Sequence, residues 1–197
     1  LREHYAERLR VGEDLERLHG ALGPSGLDRL PRALVVRVRR GADASGTRRS
    51  LLIDRGAVDG LQEGMAVVSG SVFIGRVEIV HGRSALVKLL TDRRSRQEVA
   101  LRTDQDVRLT GYVRGYGRGR EDEDLTVRHI HVDSGIGRVL PGTPVVTSNA
   151  DPLVPAGLLV GHVTDVRDHD RDDLPVVQVR PALDLSRSTH AIVLLPP

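Results

Sequence analysis

The chain has 197 residues and a formal net charge of +2, with 29 Lys and Arg against 27 Asp and Glu, a balance that argues against a polyanionic partner. Aromatic residues are 2% of it and Cys is absent, which excludes disulfides, thiolate metal sites and cysteine nucleophiles and leaves few flat side chains to stack bases or sugars. The core must be built from Val, Leu and Ile, whose branched members favour strands, and the length suits one or two small domains.

Residues 1–23 carry the helical signal. Val11, Leu15, Leu18 and Leu22 follow a 4-3-4 spacing that places them on one seam, the pattern of the end of a coiled coil. Gly23-Pro24-Ser25-Gly26 stops that helix. The chain starts at Leu1 rather than Met and shows neither leader nor apolar span, so it reads as a truncated piece, and the lack of an anchor in it says little about the full-length protein.

From there the pattern is β. Strands are predicted at Ala33–Arg39, Ser50–Asp54, Val67–Val68, Gly75–Val80, Ala85–Leu90, Glu98–Arg102, Leu109–Arg114, Leu125–Val132 and His190–Leu195, with turns at Arg55-Gly56 and Asp59-Gly60. Two segments match: Gly64–Ser69 with Gly75–Val80, and Gly142–Thr147 with Gly161–Val166. Loops lengthen between them while the apolar runs are kept, which suggests two related β units, either two small barrels or one barrel with a partner sheet. Gly56, Gly60, Gly64, Gly75, Gly111, Gly115, Gly142, Gly157 and Gly161 are read as structural, supplying turns, or bends and close packing at strand starts.

Three constellations carry possible chemistry. Alternation puts His129, His131 and Asp133 on one strand face, but one strand supplies too few ligands for zinc, and a solvated or interface strand explains them better. His81, Asp92 and Ser134 occur in an order compatible with a two-barrel serine hydrolase, yet Ser134 lacks a Gly two positions before it and no oxyanion-forming loop is recognisable. The Gly111–Arg120 stretch, with Tyr112 and Tyr116, resembles a nucleic-acid contact, but Glu121 to Asp124 follow at once and favour a hairpin loop. Arg76 and Arg96 lie within the matched segments as surface candidates with no assigned role. No cofactor, metal or nucleic acid is called for.

The order of motifs resembles the extracytoplasmic part of the MreC family, the shape-determining proteins of bacterial wall elongation. The likeness rests on Leu52-Ile53-Asp54-Arg55-Gly56-Ala57-Val58-Asp59-Gly60-Leu61-Gln62-Glu63-Gly64, on Gly75-Arg76-Val77, and on Leu89-Leu90-Thr91-Asp92 with Ser95. Further motifs are Val145-Val146-Thr147-Ser148, Pro155-Ala156-Gly157-Leu158-Leu159-Val160-Gly161 and Arg180-Pro181-Ala182-Leu183-Asp184-Leu185-Ser186. It departs from the family at Asn149-Ala150-Asp151-Pro152, where a Gly-rich stretch is usual, and at Thr143, where Asp is common.

The resemblance implies a mainly β fold of two small antiparallel six-stranded-type barrels or barrel-like subdomains after a helix or coiled coil. The first would span 33–110, completed by the C-terminal strand, and the second 111–187, with the closing strand and tail at 188–197. It also implies a non-enzymatic scaffold on the periplasmic side of the inner membrane, anchored through a missing N-terminal span and self-associating. Its partners would be a wall-synthesis transpeptidase and other shape-determining proteins. A generic β adaptor or self-assembling module is the alternative.

Overall fold

Among the described residues, short aliphatic runs punctuated by Gly, Pro and Asp resolve into twelve strands joined in one sheet that closes twice on itself. The structure is a computed structural model describing residues 13, 16, 17, 20, 32–40, 49–102, 108–115, 125–128, 130, 139–167, 175–182 and 189–196. The first barrel contains β1 (Arg32–Arg40), β2 (Ser50–Ile53), β3 (Ala66–Ser69), β4 (Val72–Val80), β5 (Ala85–Leu89) and the last strand, β12 (His190–Leu195). Its cyclic order is β4-β3-β12-β1-β2-β5, shut by the β4–β5 pairing. The second contains β6 (Arg96–Arg102), β7 (Arg108–Gly115), β8 (Leu125–Arg128), β9 (Pro144–Thr147), β10 (Leu159–Arg167) and β11 (Val176–Pro181), in the order β10-β9-β6-β7-β8-β11, shut by β10–β11. Closure leaves neither barrel with an open edge.

Strand pairing shifts the division between the two β units from the 110/111 boundary expected from sequence. β6 and β7 pair with each other, and β6 also pairs with β9, so the chain crosses between barrels after β5. Sequence alone could not place this crossing, because β6 alternates like any half-buried strand and only its partners identify its barrel. Of the predicted strand Leu125–Val132, Leu125–Arg128 forms β8 and Ile130 is buried, while residues 129, 131 and 132 lie outside the described residues.

The matched segments are structural equivalents. The Gly64 N–H donates to the Val77 carbonyl at 2.9 Å and the Val77 N–H to the Met65 carbonyl at 3.0 Å, while Gly142, Val163 and Thr143 repeat the pair at 2.8 and 2.9 Å. Gly64 and Gly142 hold φ of 89° and 92°, a region where a Cβ is strained. One residue bulges before each strand glycine, Ile74 before Gly75 and Val160 before Gly161. On this equivalence β12 stands in the first barrel where β6 stands in the second.

β3 and β12 read as continuous apolar runs because both of their faces are buried. Val67, Ala191 and Val193 fill the first barrel, whereas Ala66, Val68, Ile192 and Leu194 join Phe73 in the cluster that fills the second. The barrels are therefore fused through a shared aliphatic wall.

At the N-terminus, Glu13, Glu16, Arg17 and Gly20 are helical and exposed. The Glu13 and Arg17 side chains approach to 3.7 Å one turn apart. In the predicted register these four residues occupy the outward b, c and f positions. The seam residues Val11, Leu15, Leu18 and Leu22 lie outside the described residues.

Candidate binding cleft between the two barrels

The outer face of the first barrel places two cations side by side, Arg76 on β4 directly opposite Lys88 on β5. The crossing segment after β5 brings Arg94 and Ser95 beside them, and β6 adds Arg96 and Gln97. Asp151, in the turn between β9 and β10, closes the far side. With Phe73 and Gly75, these residues line a cleft of about 290 Å³.

The crossing segment is held by Asp92, which is 1% exposed. Its carboxylate accepts the Arg49 N–H at 2.9 Å and the Arg94 N–H at 2.8 Å. Those bonds satisfy two backbone donors and fix where Arg94 and Ser95 emerge.

Arg76 ties the barrels together. Its Nε and Nη2 donate to Gln97 Oε1 at 3.0 and 2.5 Å, and its Nη1 donates to Asp151 Oδ2 at 2.5 Å. Asp151 Oδ1 accepts the Leu153 N–H at 2.8 Å, so the turn that departs from the family pattern has its carboxylate ordered on both oxygens. Burial pushes the Asp151 pKa up, but the Leu153 N–H and the Arg76 guanidinium outweigh it and hold the group below its usual value.

A carboxylate depressed in the folded state contributes stability above its unfolded pKa and loses it as pH falls through the folded value. Asp151→Asn keeps an acceptor for Leu153 while removing the charge. It should lower stability by about 1 kcal/mol at neutral pH, as expected for a partly exposed pair. That deficit should begin to close as pH falls below the ordinary carboxylate value of about 4 and vanish only below the depressed folded-state value, where the wild-type carboxylate is itself protonated. Urea titrations of both proteins at neutral and acidic pH read the difference, and a pH-independent gap would refute the assignment.

The remaining cations are also oriented. Lys88 Nζ donates to Glu78 Oε1 at 3.3 Å, and Arg94 lies 3.6 Å from Glu78 and 3.5 Å from Asp92. The Arg96 guanidinium sits 3.9 Å from the Tyr112 ring centroid, a cation–π contact that fixes its plane.

The other sequence candidates do not converge here. His81 lies in the β4–β5 hairpin and Asp92 beyond the other end of β5, separated by a five-residue strand of roughly 16 Å. Ser134, His129, His131 and Asp133 lie outside the described residues. Among the described residues there is no group of three or more His, Cys, Asp or Glu that could hold a metal ion. Gly111 to Gly115 form the end of β7 rather than a loop, because Leu109, Gly111, Val113 and Gly115 alternate inward and pair against β6 and β8. Tyr112 faces out and supports Arg96; residues 116–124 are outside the described set.

The glycines divide into two kinds. Gly60 and Gly157 sit at positive φ like Gly64 and Gly142, whereas Gly56, Gly75, Gly115 and Gly161 lie where an added Cβ would strike backbone atoms. A Cβ on Gly111 would meet the Val127 side chain and the Arg128 carbonyl. Sequence reasoning singled out Arg76, Arg96 and Ser95 but missed Lys88, Gln97 and Asp151. The clue for Lys88 was its register, since Arg76–Lys88 corresponds to His162–Arg180 in the second unit.

Two closed six-stranded barrels fused through common apolar strands, with a polar cleft at their junction, define a tandem-barrel module. The chain belongs to the MreC family: the family model described as rod shape-determining protein MreC, barrel core, matches residues 41–195. The cell shape-determining protein MreC of Cereibacter sphaeroides is 33% identical over 141 residues, covering 71% of this chain and 41% of that protein. The chain spans less than half the length of the relatives it matches from Listeria monocytogenes, Cereibacter sphaeroides and Escherichia coli. Among solved structures, MreC of Listeria monocytogenes superposes with a TM-score of 0.75 at 25% identity, covering 98% of this chain and 94% of that one. The MreC of Helicobacter pylori, solved in complex with penicillin-binding protein PBP2, shares the fold at 18% identity and a TM-score of 0.60, covering 83% of this chain and 99% of its own. No helix among the described residues is long and apolar enough to cross a membrane.

Proposed function

We propose that this chain is the partner-binding β region of a membrane-anchored scaffold that maintains cell shape by organising the wall-elongation machinery. The observation that carries this reading is the family match over 41–195, which spans every strand of the two barrels except β1. The physical features agree with it. Aliphatic closed barrels give a rigid platform, and its conspicuous polar feature is a cleft of ordered charges suited to holding a partner.

On this reading the module acts without catalysis in the periplasm, as one part of a protein anchored through a span outside this sequence. Its helical segment sets oligomeric register, and the barrels contact a transpeptidase of wall synthesis and other shape-determining proteins. The Helicobacter pylori relative solved with PBP2 supports that class of partner. Affinity capture of the full-length protein from membranes of its own organism, with cross-linking, is the test. Recovery of the elongation transpeptidase with the intact protein, and its loss when the barrels are deleted, is expected. Equal recovery without the barrels would refute the reading.

A further inference from the structure

The cleft between the barrels has the makings of an anion site, and its chemistry narrows what it takes. Four cationic side chains, Arg76, Lys88, Arg94 and Arg96, face three carboxylates, those of Asp151, Glu78 and Asp92, leaving one unit of positive charge. Arg76 is spent on Gln97 and Asp151. Arg94 makes only long ion pairs, at 3.5 and 3.6 Å, and keeps its hydrogen-bonding capacity. Arg96 is oriented through its π face, so its N–H edge stays available. Between them lies Ser95, 7% exposed, which lines the cleft. Its hydroxyl can donate to an acceptor held between the two flanking arginines.

We propose that the Arg94-Ser95-Arg96 side of this cleft binds a carboxylate presented by an acidic peptide segment of a partner protein. The cleft already holds one such group, the Asp151 carboxylate on Arg76, and the second position repeats that chemistry across Ser95. A carboxylate carries the single negative charge that the residual charge calls for, whereas a phosphate dianion would meet Asp151 and Glu78 at close range. Two guanidinium forks and a hydroxyl match the planar acceptor pair of a carboxylate. The site also joins the barrels, since its ligands come from the crossing segment and β6 while Lys88 and Arg76 belong to the first barrel. A bound carboxylate would thereby reinforce the latch made by Arg76, Gln97 and Asp151.

This proposal rests on the reading of the module as a docking platform, and its test is separable from that reading. The probe is the blocked peptide acetyl-Glu-Glu-Glu-amide, titrated into the 197-residue chain and followed by amide and arginine Nε–H chemical shifts. Saturable shifts are expected at Ser95, Arg96 and Gln97 and at the arginine side chains. Binding should weaken at least tenfold in the Arg94→Gln, Arg96→Gln double variant, whose substituted side chains are exposed and leave the core intact. Ser95→Ala should weaken it by a smaller factor. Unsaturated shifts at millimolar peptide, or equal binding by the double variant, would overturn the site. Inorganic phosphate binding more tightly at the same residues would overturn the carboxylate assignment. Capture of the transpeptidase by the intact protein, with no peptide binding, would sink the cleft and leave the scaffold reading standing.

Discussion

Deleting residues 189–197 opens the first barrel while the second stays closed. β12 pairs with β1 on one side and β3 on the other, so its loss breaks two ladders of the first barrel and none within the second. It buries Ile192, Val193 and Leu194 at 3% exposure or less. Each such side chain contributes about 1.5–3 kcal/mol, and together they approach the whole margin of a folded domain, about 5–15 kcal/mol. Hydrogen exchange should show β1–β5 amides losing protection. Amides of β6, β7 and β11 should stay protected, though weakened, because Ile192 and Leu194 also cover the second core. Unchanged protection at Val36 and Val67 would show that β12 is dispensable.

The same topology supplies a rescue. In the second barrel the corresponding strand, β6, precedes β7 and forms a hairpin with it, Arg102 standing opposite Arg108. In the first, β12 lies against β1 with Leu195 opposite Arg32. Moving His190–Leu195 in front of Arg32 through a two-residue Asn-Gly turn would reproduce the arrangement of the second barrel. Protection of β1–β5 should return in that permuted chain. The first barrel thus has the strand order of the second, with its opening strand delivered from the far end of the sequence.

Much of this was legible from residues alone. Paired Gly-and-Val segments locate β3-β4 and β9-β10, since each unit needs a positive-φ glycine before its strand and a bare glycine after its bulge. The final strand was legible in the apolar run His190–Leu195, which reads as a closing strand. The crossing between barrels was not, because alternation reports which face is buried and says nothing of which partner covers it. The cleft was half legible. Arg76 stood out within a matched segment, but Asp151 sits 75 residues away in a turn whose sequence looks merely irregular. Long-range ion pairs leave no periodic trace in a sequence.

Gly75→Ala and Gly161→Ala are each expected to destabilise the protein by about 3 kcal/mol or more, the range in which backbone clashes stand out from ordinary substitutions. Both glycines lie mid-strand, where positive φ is not the issue; the constraint is approach. A Cβ on Gly75 would fall on the carbonyl oxygen of Lys88, and one on Gly161 on that of Arg180. Neither oxygen belongs to a flexible side chain, so relief requires moving a whole strand of a closed barrel, which breaks pairing around the ring. For a chain of this size the loss corresponds to a Tm drop of roughly 6–12 °C. Gly82→Ala is the control, because nothing lies within 4 Å of its added Cβ, and its effect should stay within about 0.5 kcal/mol. Equivalence of the two units further requires that damage be local, Gly75→Ala loosening β4–β5 and Gly161→Ala loosening β10–β11 in hydrogen exchange. Gly75→Ala carries a second consequence, because Gly75 also lines the cleft beside Arg76. Displacing Lys88 there should disturb the Arg76–Asp151 latch, whereas Gly161→Ala should leave it in place. A Gly75→Ala protein melting within 2 °C of wild type would mean that the β4–β5 approach tolerates a methyl group, and the close-packing account of both repeats would fall with it.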